Sequence, residues 1–121
     1  MVETTRKPFE KEINENIPIN EQVEVGLGCT HHINGDAYSY TIVRVEKNGK
    51  MIWVTRDMNT PAEGYDYYTN QVYTHETNWD ESNAKCYTLR KDGEYYPKGC
   101  SMKYYLRLAI GYRTHKQDPH F

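Results

Sequence analysis

The sequence predicts a mainly β protein: a small antiparallel barrel or a compact sandwich, SH3-like, of about six strands. Two tight turns between strand-forming runs carry this prediction. The first turn is KNGK at residues 47–50, and its flanking runs, within residues 40–57, are rich in Val, Ile, Thr, Tyr and Trp. Asn-Gly favours the positive φ angles of a type I′ turn, whose twist matches the strands beside it. The second turn, KDGE at residues 91–94, lies between residues 86–90 and 95–96.

The N-terminal part of the chain predicts an arm followed by the first strand. Residues 1–20 are polar and bracketed by Pro8 and Pro18, which indicates a flexible arm, and residues 21–121 then form a single β domain. Apolar and polar residues alternate through residues 22–28, as they do in a half-buried strand. Glycines at the end of this run indicate a bulge or a close approach of another backbone.

The rest of the chain alternates loops with short strands, which can bury a core by curling into a barrel or by pairing as two sheets. A loop at residues 29–36 leads into the first hairpin. The final strand is predicted at residues 104–112, where Leu106, Leu108 and Ile110 share one face. The other predicted elements are a long connection at 58–70, a strand at 70–76, a polar loop at 77–84, the second hairpin at 86–96 and a tail at 113–121.

Composition indicates one folded domain. Apolar residues make up 37% of the 121 residues, below the globular average of about 45–50%. Twelve tyrosines offset this deficit, because each carries a large apolar area and disordered chains are poor in aromatic residues. The net charge is −2 and the basic residues are scattered along the sequence. A broad basic footprint for duplex DNA is therefore missing, and we expect no sequence-specific DNA binding.

Cysteine usage and hydropathy predict an intracellular protein. Cys29, Cys86 and Cys100 are odd in number and lack CxxC spacing, which favours buried or partly buried thiols in a reducing cytoplasm over a disulfide framework. No run approaches the roughly 18 apolar residues of a transmembrane helix. No apolar signal segment follows Met1 either. We therefore expect no membrane partner.

The loop that holds His31 and His32 is a weak metal candidate. Together with Cys29 and Asp36, these histidines offer ligands that zinc accepts. Adjacent histidines on an extended chain point to opposite sides, however, and the spacing matches no common zinc pattern. The alternative is that the polar loop residues, including Thr30 and Asp36, structure the loop or line a shallow ligand pocket. We therefore expect no metal site.

Catalysis has no signature in this sequence. A nucleophile needs a base within hydrogen-bond reach and a third group that orients the base. Neither a G-x-S-x-G motif nor a Cys/His family signature surrounds Cys29. No glycine-rich phosphate loop opens a helix. The sequence therefore predicts a non-enzymatic protein that needs no cofactor.

Arginines interleaved with tyrosines near the predicted strand ends indicate a ligand-binding site. Arginine forks bind phosphates with two hydrogen bonds and aromatic faces stack on bases, so the combination suits a nucleotide or a nucleic-acid end. The alternative is ordinary: arginines on the solvent face of a sheet pair with carboxylates across strands. The predicted ligand-binding residues are Thr30, His31, Asp36, Tyr40, Arg56, Asp57, Arg90, Tyr112 and Arg113.

Several motifs across residues 23–121 resemble those of a family of small β-rich proteins encoded by phages and prophages. The family pattern is V-G-x-G-[AC]-T, T-[IV]-V, T-L-R-x-[DN]-G, I-G-x-R and D-P-x-F, and this chain carries VGLGCT, TIV, TLRKDG, IGYR and DPHF. Cys29 stands where the family usually has a small Ala, and His31 and His32 occupy its variable loop. The family has no established activity, so the resemblance implies an origin in a mobile element more than a chemistry.

The resemblance and the absence of catalytic motifs together predict a binding protein that counters bacterial antiviral defence in the cytoplasm of the infected or lysogenic host. The first mechanism is a sponge that sequesters a nucleotide signal in pockets lined by Arg and Tyr, formed at a homo-oligomer interface. The second is direct inhibition of a host defence protein, for example a CRISPR nuclease, through a tyrosine-rich patch. A structural or regulatory phage protein without an immune role is the third alternative.

Overall fold

Six antiparallel strands close into a barrel in this computed structural model, which describes residues 7–117. The strand order around the barrel is β1-β2-β3-β6-β7-β8, and β8 pairs with β1 to close it. A separate two-stranded sheet, β4-β5, lies outside the barrel. The mainly β prediction is confirmed, as a barrel rather than a sandwich. The strands are β1 (Gly28–Ile33), β2 (Asp36–Glu46), β3 (Met51–Arg56), β4 (Met58–Pro61), β5 (Tyr73–Glu76), β6 (Lys85–Leu89), β7 (Tyr95–Pro97) and β8 (Leu108–Ile110).

The first predicted hairpin is the β2-β3 pair. Its turn needs a positive φ at three positions, one more than the predicted type I′ turn does. Three consecutive residues have positive φ: Lys47 at 52°, Asn48 at 57° and Gly49 at 82°. A Cβ at Gly49 would lie 1.9 Å from the carbonyl oxygen of Asn20, so glycine is required there for space as well as for φ. The N-terminal segment therefore packs directly on this turn.

The second predicted hairpin is the β6-β7 pair, but its turn differs from the first. Gly93 has a φ of 84° and is the one turn residue with a positive φ among those described. The Gly93 N–H donates to Arg90 O at 3.0 Å, and the Asp92 carboxylate accepts from the Glu94 N–H at 3.0 Å. The aspartate side chain thus holds the local backbone, which removes the need for a second positive φ.

The barrel interior is filled by aliphatic and tyrosine side chains. Tyr95 is fully buried, and its hydroxyl donates to Gly49 O at the base of the first hairpin turn. This bond satisfies the polar tip of the ring, so tyrosine serves as a core residue here. The barrel thereby makes up for the low aliphatic content of the sequence. The buried core residues are Val23, Leu27, Cys29, Tyr40, Ile42, Ile52, Val54, Tyr87, Tyr95 and Leu108.

Two strand boundaries differ from the sequence-based prediction. The first strand starts at Gly28 rather than at residue 22, because the chain turns at Gly26 with a φ of 99°. His31 and His32 therefore lie in β1 and not in a loop. The predicted strand at 104–112 is a short 3-10 helix followed by the three residues of β8.

The connection predicted at residues 58–70 also contains structure, because β4 lies within it. Its partner β5 forms the second half of the strand predicted at residues 70–76. Residues 1–6 and 118–121, which hold the beginning of the predicted arm and the end of the predicted tail, lie outside the described residues.

The described part of the predicted arm is hydrogen-bonded to the barrel. The Phe9 N–H donates to Gly26 O at 2.9 Å, and the Gly28 N–H donates back to Phe9 O at 2.9 Å. The Lys11 N–H donates to Gly111 O at 2.9 Å. Phe9, Ile13 and Ile19 pack against the core. Across residues 7–117, no helix has both the length and the apolar character needed to cross a membrane.

Candidate functional site

A buried polar layer covers one outer face of the barrel. Strand alternation creates it: Cys29, Tyr40 and Ile42 point into the core, so their neighbours on β1 and β2 point outward. The C-terminal tail, the N-terminal segment and the β4-β5 sheet cover these outward residues, which are then buried although they are polar. The buried polar residues of this layer are Thr30, Ser39, Thr41, Thr55 and Asp57.

An ion pair between Arg113 and Asp57 lies at the centre of this layer. The Arg113 side chain is 6% exposed and that of Asp57 is 0% exposed, and Nε lies 3.2 Å from Oδ2. The guanidinium also donates to Phe9 O and Gly26 O, both at 2.9 Å, and to Thr41 Oγ1 at 2.9 Å. All three guanidinium nitrogens are therefore engaged inside the protein, and the cation joins the tail to the N-terminal segment and to β2.

Hydroxyl groups complete the layer. Thr41 Oγ1 donates to Asp57 Oδ1 at 2.7 Å, so the carboxylate is held from two sides. Thr30 Oγ1 donates to Tyr112 O at 2.8 Å and accepts from the Thr114 N–H at 3.0 Å, which fixes the path of the tail. Buried polar atoms that are bonded in this way hold one arrangement of the segments over the barrel.

A cleft lies between the tail and the loop that precedes β5, and we name it the tyrosine–histidine cleft. Its volume is about 380 Å³. The tail forms one wall because it pairs with the free edge of β2: the Ala37 N–H donates to Lys116 O at 2.8 Å and the Lys116 N–H donates back at 2.9 Å. The lining residues are Tyr67, Tyr68, Thr69, Asn70, Gln71, Thr114, His115 and Lys116.

His115 is the chemically distinctive residue of the cleft. Its ring makes edge contacts with Tyr73, at a centroid distance of 4.6 Å, and with Tyr38, at 5.9 Å. Its Nδ1 atom is buried and has no hydrogen-bond partner among residues 7–117. Burial lowers the pKa of this imidazole, the charges of Arg56 and His75 lower it further, and Asp36 opposes them. The ring is therefore neutral at pH 7, with one nitrogen able to donate and the other able to accept.

Arg56 lies beside this cluster with its hydrogen-bonding capacity unused. Its guanidinium carbon is 4.6 Å from the centroid of the Tyr38 ring, and within the described residues it makes no hydrogen bond or ion pair. Arg90 is different: it donates to Thr88 Oγ1, Cys100 O and Pro97 O at 2.8–2.9 Å. Arg56 can therefore bind a ligand phosphate. Arg90 cannot do so without breaking the hydrogen bonds that hold the β6-β7 end of the barrel together.

His75 links the cleft to the buried layer. Its Nδ1 donates to Asn59 Oδ1, which also accepts from Ser39 Oγ at 2.9 Å. Burial lowers the pKa of His75; Asp57 and Glu10 act against this shift, and Arg113 adds to it. The imidazole of His75 is therefore neutral at pH 7, as that of His115 is.

A second groove, of about 440 Å³, adjoins the buried layer at the β3-β4 corner. It is less suited to an anion than the cleft, because the carboxylates of Asp57 and Glu76 line it together with Arg56. Within residues 7–117, no group of three or more His, Cys, Asp or Glu side chains is arranged to hold a metal ion.

The nine predicted ligand-binding residues do not form one site. Asp36 and Arg56 lie beside the tyrosine–histidine cleft. His31 and Tyr112 lie on a second, exposed surface next to β1 and β8. The other five bond to or pack against the rest of the protein. Tyr40 lies in the core, Arg90 lies at the β6-β7 end of the barrel, and the polar layer holds Thr30, Asp57 and Arg113. A ligand-binding role for these five stays a prediction.

No local signal in the sequence points to the aromatic cluster around His115. Tyr38, Tyr73 and His115 come from three separate segments, and no fixed spacing connects them. The one usable clue was the density of tyrosines at residues 65–73, four in nine positions, which a packed connection would not need. Comparison with protein-family models, with curated proteins and with solved structures finds no match to this chain.

Proposed function

We propose that this protein is a non-enzymatic binding protein that holds a nucleotide-type ligand in the tyrosine–histidine cleft. The observation that carries the proposal is the buried, unpartnered Nδ1 of His115 in a cleft wall. Buried polar atoms are nearly always hydrogen-bonded, and one that is not requires an explanation. A ligand supplies one when the His115 ring turns on binding and brings Nδ1 to the cleft surface.

The surroundings of His115 favour a base with an attached phosphate. Tyrosine rings of the cleft offer faces or edges to a planar base, and the neutral imidazole offers a donor or an acceptor to its edge. Lys116 supplies positive charge in the cleft wall, and Arg56, which lines the neighbouring groove, lies within electrostatic reach of His115. The volume of about 380 Å³ is in the range of about 300–1,000 Å³ of small-molecule sites.

The biological role we propose for this binding is sequestration of a nucleotide signal, against bacterial antiviral defence. It rests on the resemblance to phage proteins and on the lack of a catalytic motif, and homo-oligomerisation would further enclose the cleft. Direct inhibition of a defence nuclease and a structural phage role are the alternatives. Both gain support if the protein ignores every nucleotide.

Isothermal titration calorimetry with mono-, di- and cyclic nucleotides tests the proposal, together with native mass spectrometry of protein purified from its expressing cells. His115→Phe keeps a ring of similar shape and removes the nitrogens, and Lys116→Gln removes a charge but keeps the backbone pairing. We expect each change to raise Kd by about tenfold, the effect of one lost hydrogen bond or charge contact. Arg44→Gln is the matched control. Like Lys116→Gln it replaces a cation by glutamine, but Arg44 contacts the Trp53 ring and does not line the cleft.

Two results would overturn the assignment. Unchanged affinity in both cleft variants places the ligand elsewhere. A bare protein that binds no nucleotide at millimolar concentration removes the nucleotide class altogether.

A further inference from the structure

We propose that a second surface of the barrel, separate from the cleft, is a platform for single-stranded nucleic acid. The residues that form it surround the 3-10 helix before β8 and the adjoining part of β1. We name it the tyrosine surface, and its members are His32, Lys103, Tyr104, Tyr105, Arg107 and Tyr112.

The aromatic rings of this surface are exposed to an unusual degree. Tyr104 is 74% exposed, Tyr105 is 49% exposed and Tyr112 is 41% exposed. Large rings lose favourable burial when they stay in water, and a group of them on a folded protein marks an interaction site. Other tyrosines, such as Tyr95, fill the core, and Tyr68 in the cleft is the other strongly exposed tyrosine among the described residues.

These residues form two contacting pairs, His32 with Tyr112 and Arg107 with Tyr104. His32 Nε2 lies 2.7 Å from the Tyr112 hydroxyl, and the two ring centroids are 6.0 Å apart. The neighbouring His31 donates from Nε2 to Tyr105 O at 2.7 Å, which ties the 3-10 helix to β1. Burial lowers the pKa of His32, and the charges of His31 and Arg107 lower it further, so Arg107 is within electrostatic reach of the pair.

The charge of this region is positive although the whole chain is slightly acidic. Two members of the tyrosine surface are cations, Lys103 and Arg107, and none is Asp or Glu. Arg107 lies over the Tyr104 ring at 4.1 Å, and its nearest carboxylate, Glu94, is 3.9 Å away. The guanidinium is thus oriented by the ring and can still bind a phosphate.

Exposed rings combined with cations select a single strand over a duplex. Bases stack on aromatic side chains only when they are not paired in a duplex, and stacking of this kind tolerates any sequence. A small number of rings suits a few successive nucleotides. The proposal does not depend on the proposed function, since it uses none of the cleft residues.

Fluorescence anisotropy with labelled 12-nucleotide oligo-dT and oligo-U, at 50 mM salt, tests this inference. We expect saturable binding, weakened about 5- to 150-fold by Tyr104→Ala, which follows from about 1–3 kcal/mol for one stacked base. Lys103 and Arg107 would each neutralise one phosphate, and two such contacts predict a fall in affinity of about sevenfold between 50 and 200 mM salt. Lys103→Gln removes one contact and should make the affinity less dependent on salt. Tyr68→Ala is the control, because Tyr68 is 63% exposed but lies in the cleft.

Three outcomes would overturn the inference. They are no saturable binding up to 100 µM protein, equal loss in Tyr68→Ala and Tyr104→Ala, and equally tight binding of a duplex of the same length. His115→Phe should leave oligonucleotide binding unchanged, which separates failure of this inference from failure of the cleft assignment. Thermal unfolding of each variant shows that it is folded before its affinity is compared.

Discussion

Replacing Arg113 by Met tests the central structural claim, that a buried ion pair fastens three segments over the barrel. Methionine has a similar length and no charge, so it fills the space beside Gly28, where a Cβ would lie 2.7 Å from Arg113 Cγ. The change removes the cation that bonds Asp57, Phe9 O and Gly26 O. The main consequence is a buried carboxylate without its countercharge.

The expected loss is large because both partners are inaccessible to water. Removing one partner of a buried pair destabilises a protein by about 3–5 kcal/mol. Scaled from about 0.05–0.15 kcal/mol per residue, the 121 residues have a free energy of unfolding of about 6–18 kcal/mol. Arg113→Met should therefore remove between about a sixth and five sixths of the stability, and a parent at the low end of that range leaves a variant that is only marginally folded.

Urea unfolding followed by far-UV circular dichroism measures this loss. With an m value of about 1.5 kcal/mol/M, the midpoint should move down by about 2–3 M. Arg44→Met is the matched control: Arg44 is exposed and pairs with Glu46 on the surface, where such pairs contribute about 0–1 kcal/mol. Adding Asp57→Leu to Arg113→Met should restore part of the stability, because the unpaired charge is then gone.

A midpoint for Arg113→Met within about 0.5 M of the parent would refute the reasoning. Such a result means that water or another cation reaches Asp57 when Arg113 is absent. The same result would reopen the sequence-based assignment of Arg113 to ligand binding, because its removal would then leave the fold intact.

Four further perturbations have defined outcomes. His115→Phe should raise the free energy of unfolding by about 1 kcal/mol, since it removes an unpartnered buried nitrogen, and chemical denaturation measures it. Burial lowers the pKa of His75 and His115 below the ordinary value of 6.5, so the unfolded state takes up protons at a higher pH than the folded state does. The free energy of unfolding should therefore fall as the pH drops below about 6.5, and it should fall less steeply in His115→Phe. A free energy of unfolding that does not change with pH in this range contradicts the prediction. Gly111→Ala should cost about 1–3 kcal/mol, measured by thermal unfolding, because φ is 113° and a Cβ would lie 2.5 Å from a carbonyl of the N-terminal segment. A thiol reagent should modify the exposed Cys100 first and the buried Cys29 only on unfolding; rapid reaction of all three thiols would show an open barrel.

The hairpins were predictable because the information for them is local. Asn48 and Gly49 adopt the positive φ angles that their chemistry favours, and the flanking strands pair antiparallel on both sides of a bulge between Ile42 and Arg44. The first strand was misplaced for the opposite reason. Its alternating pattern at residues 22–28 belongs to a segment that turns at Gly26 and packs under Phe9, a contact between residues distant in sequence.

Strand alternation and turn chemistry were enough for the sequence by itself to determine the mainly β class and both barrel hairpins. Tertiary structure decided the use of the polar residues. Arg113 reaches Phe9 O across 104 residues, and His115 meets Tyr38 and Tyr73 across 77 and 42 positions. An arginine or a histidine becomes either a buried structural residue or a possible ligand-binding residue, and the distant segments that pack over it decide which. No local pattern encodes that covering, since it follows from how the tail crosses the closed barrel.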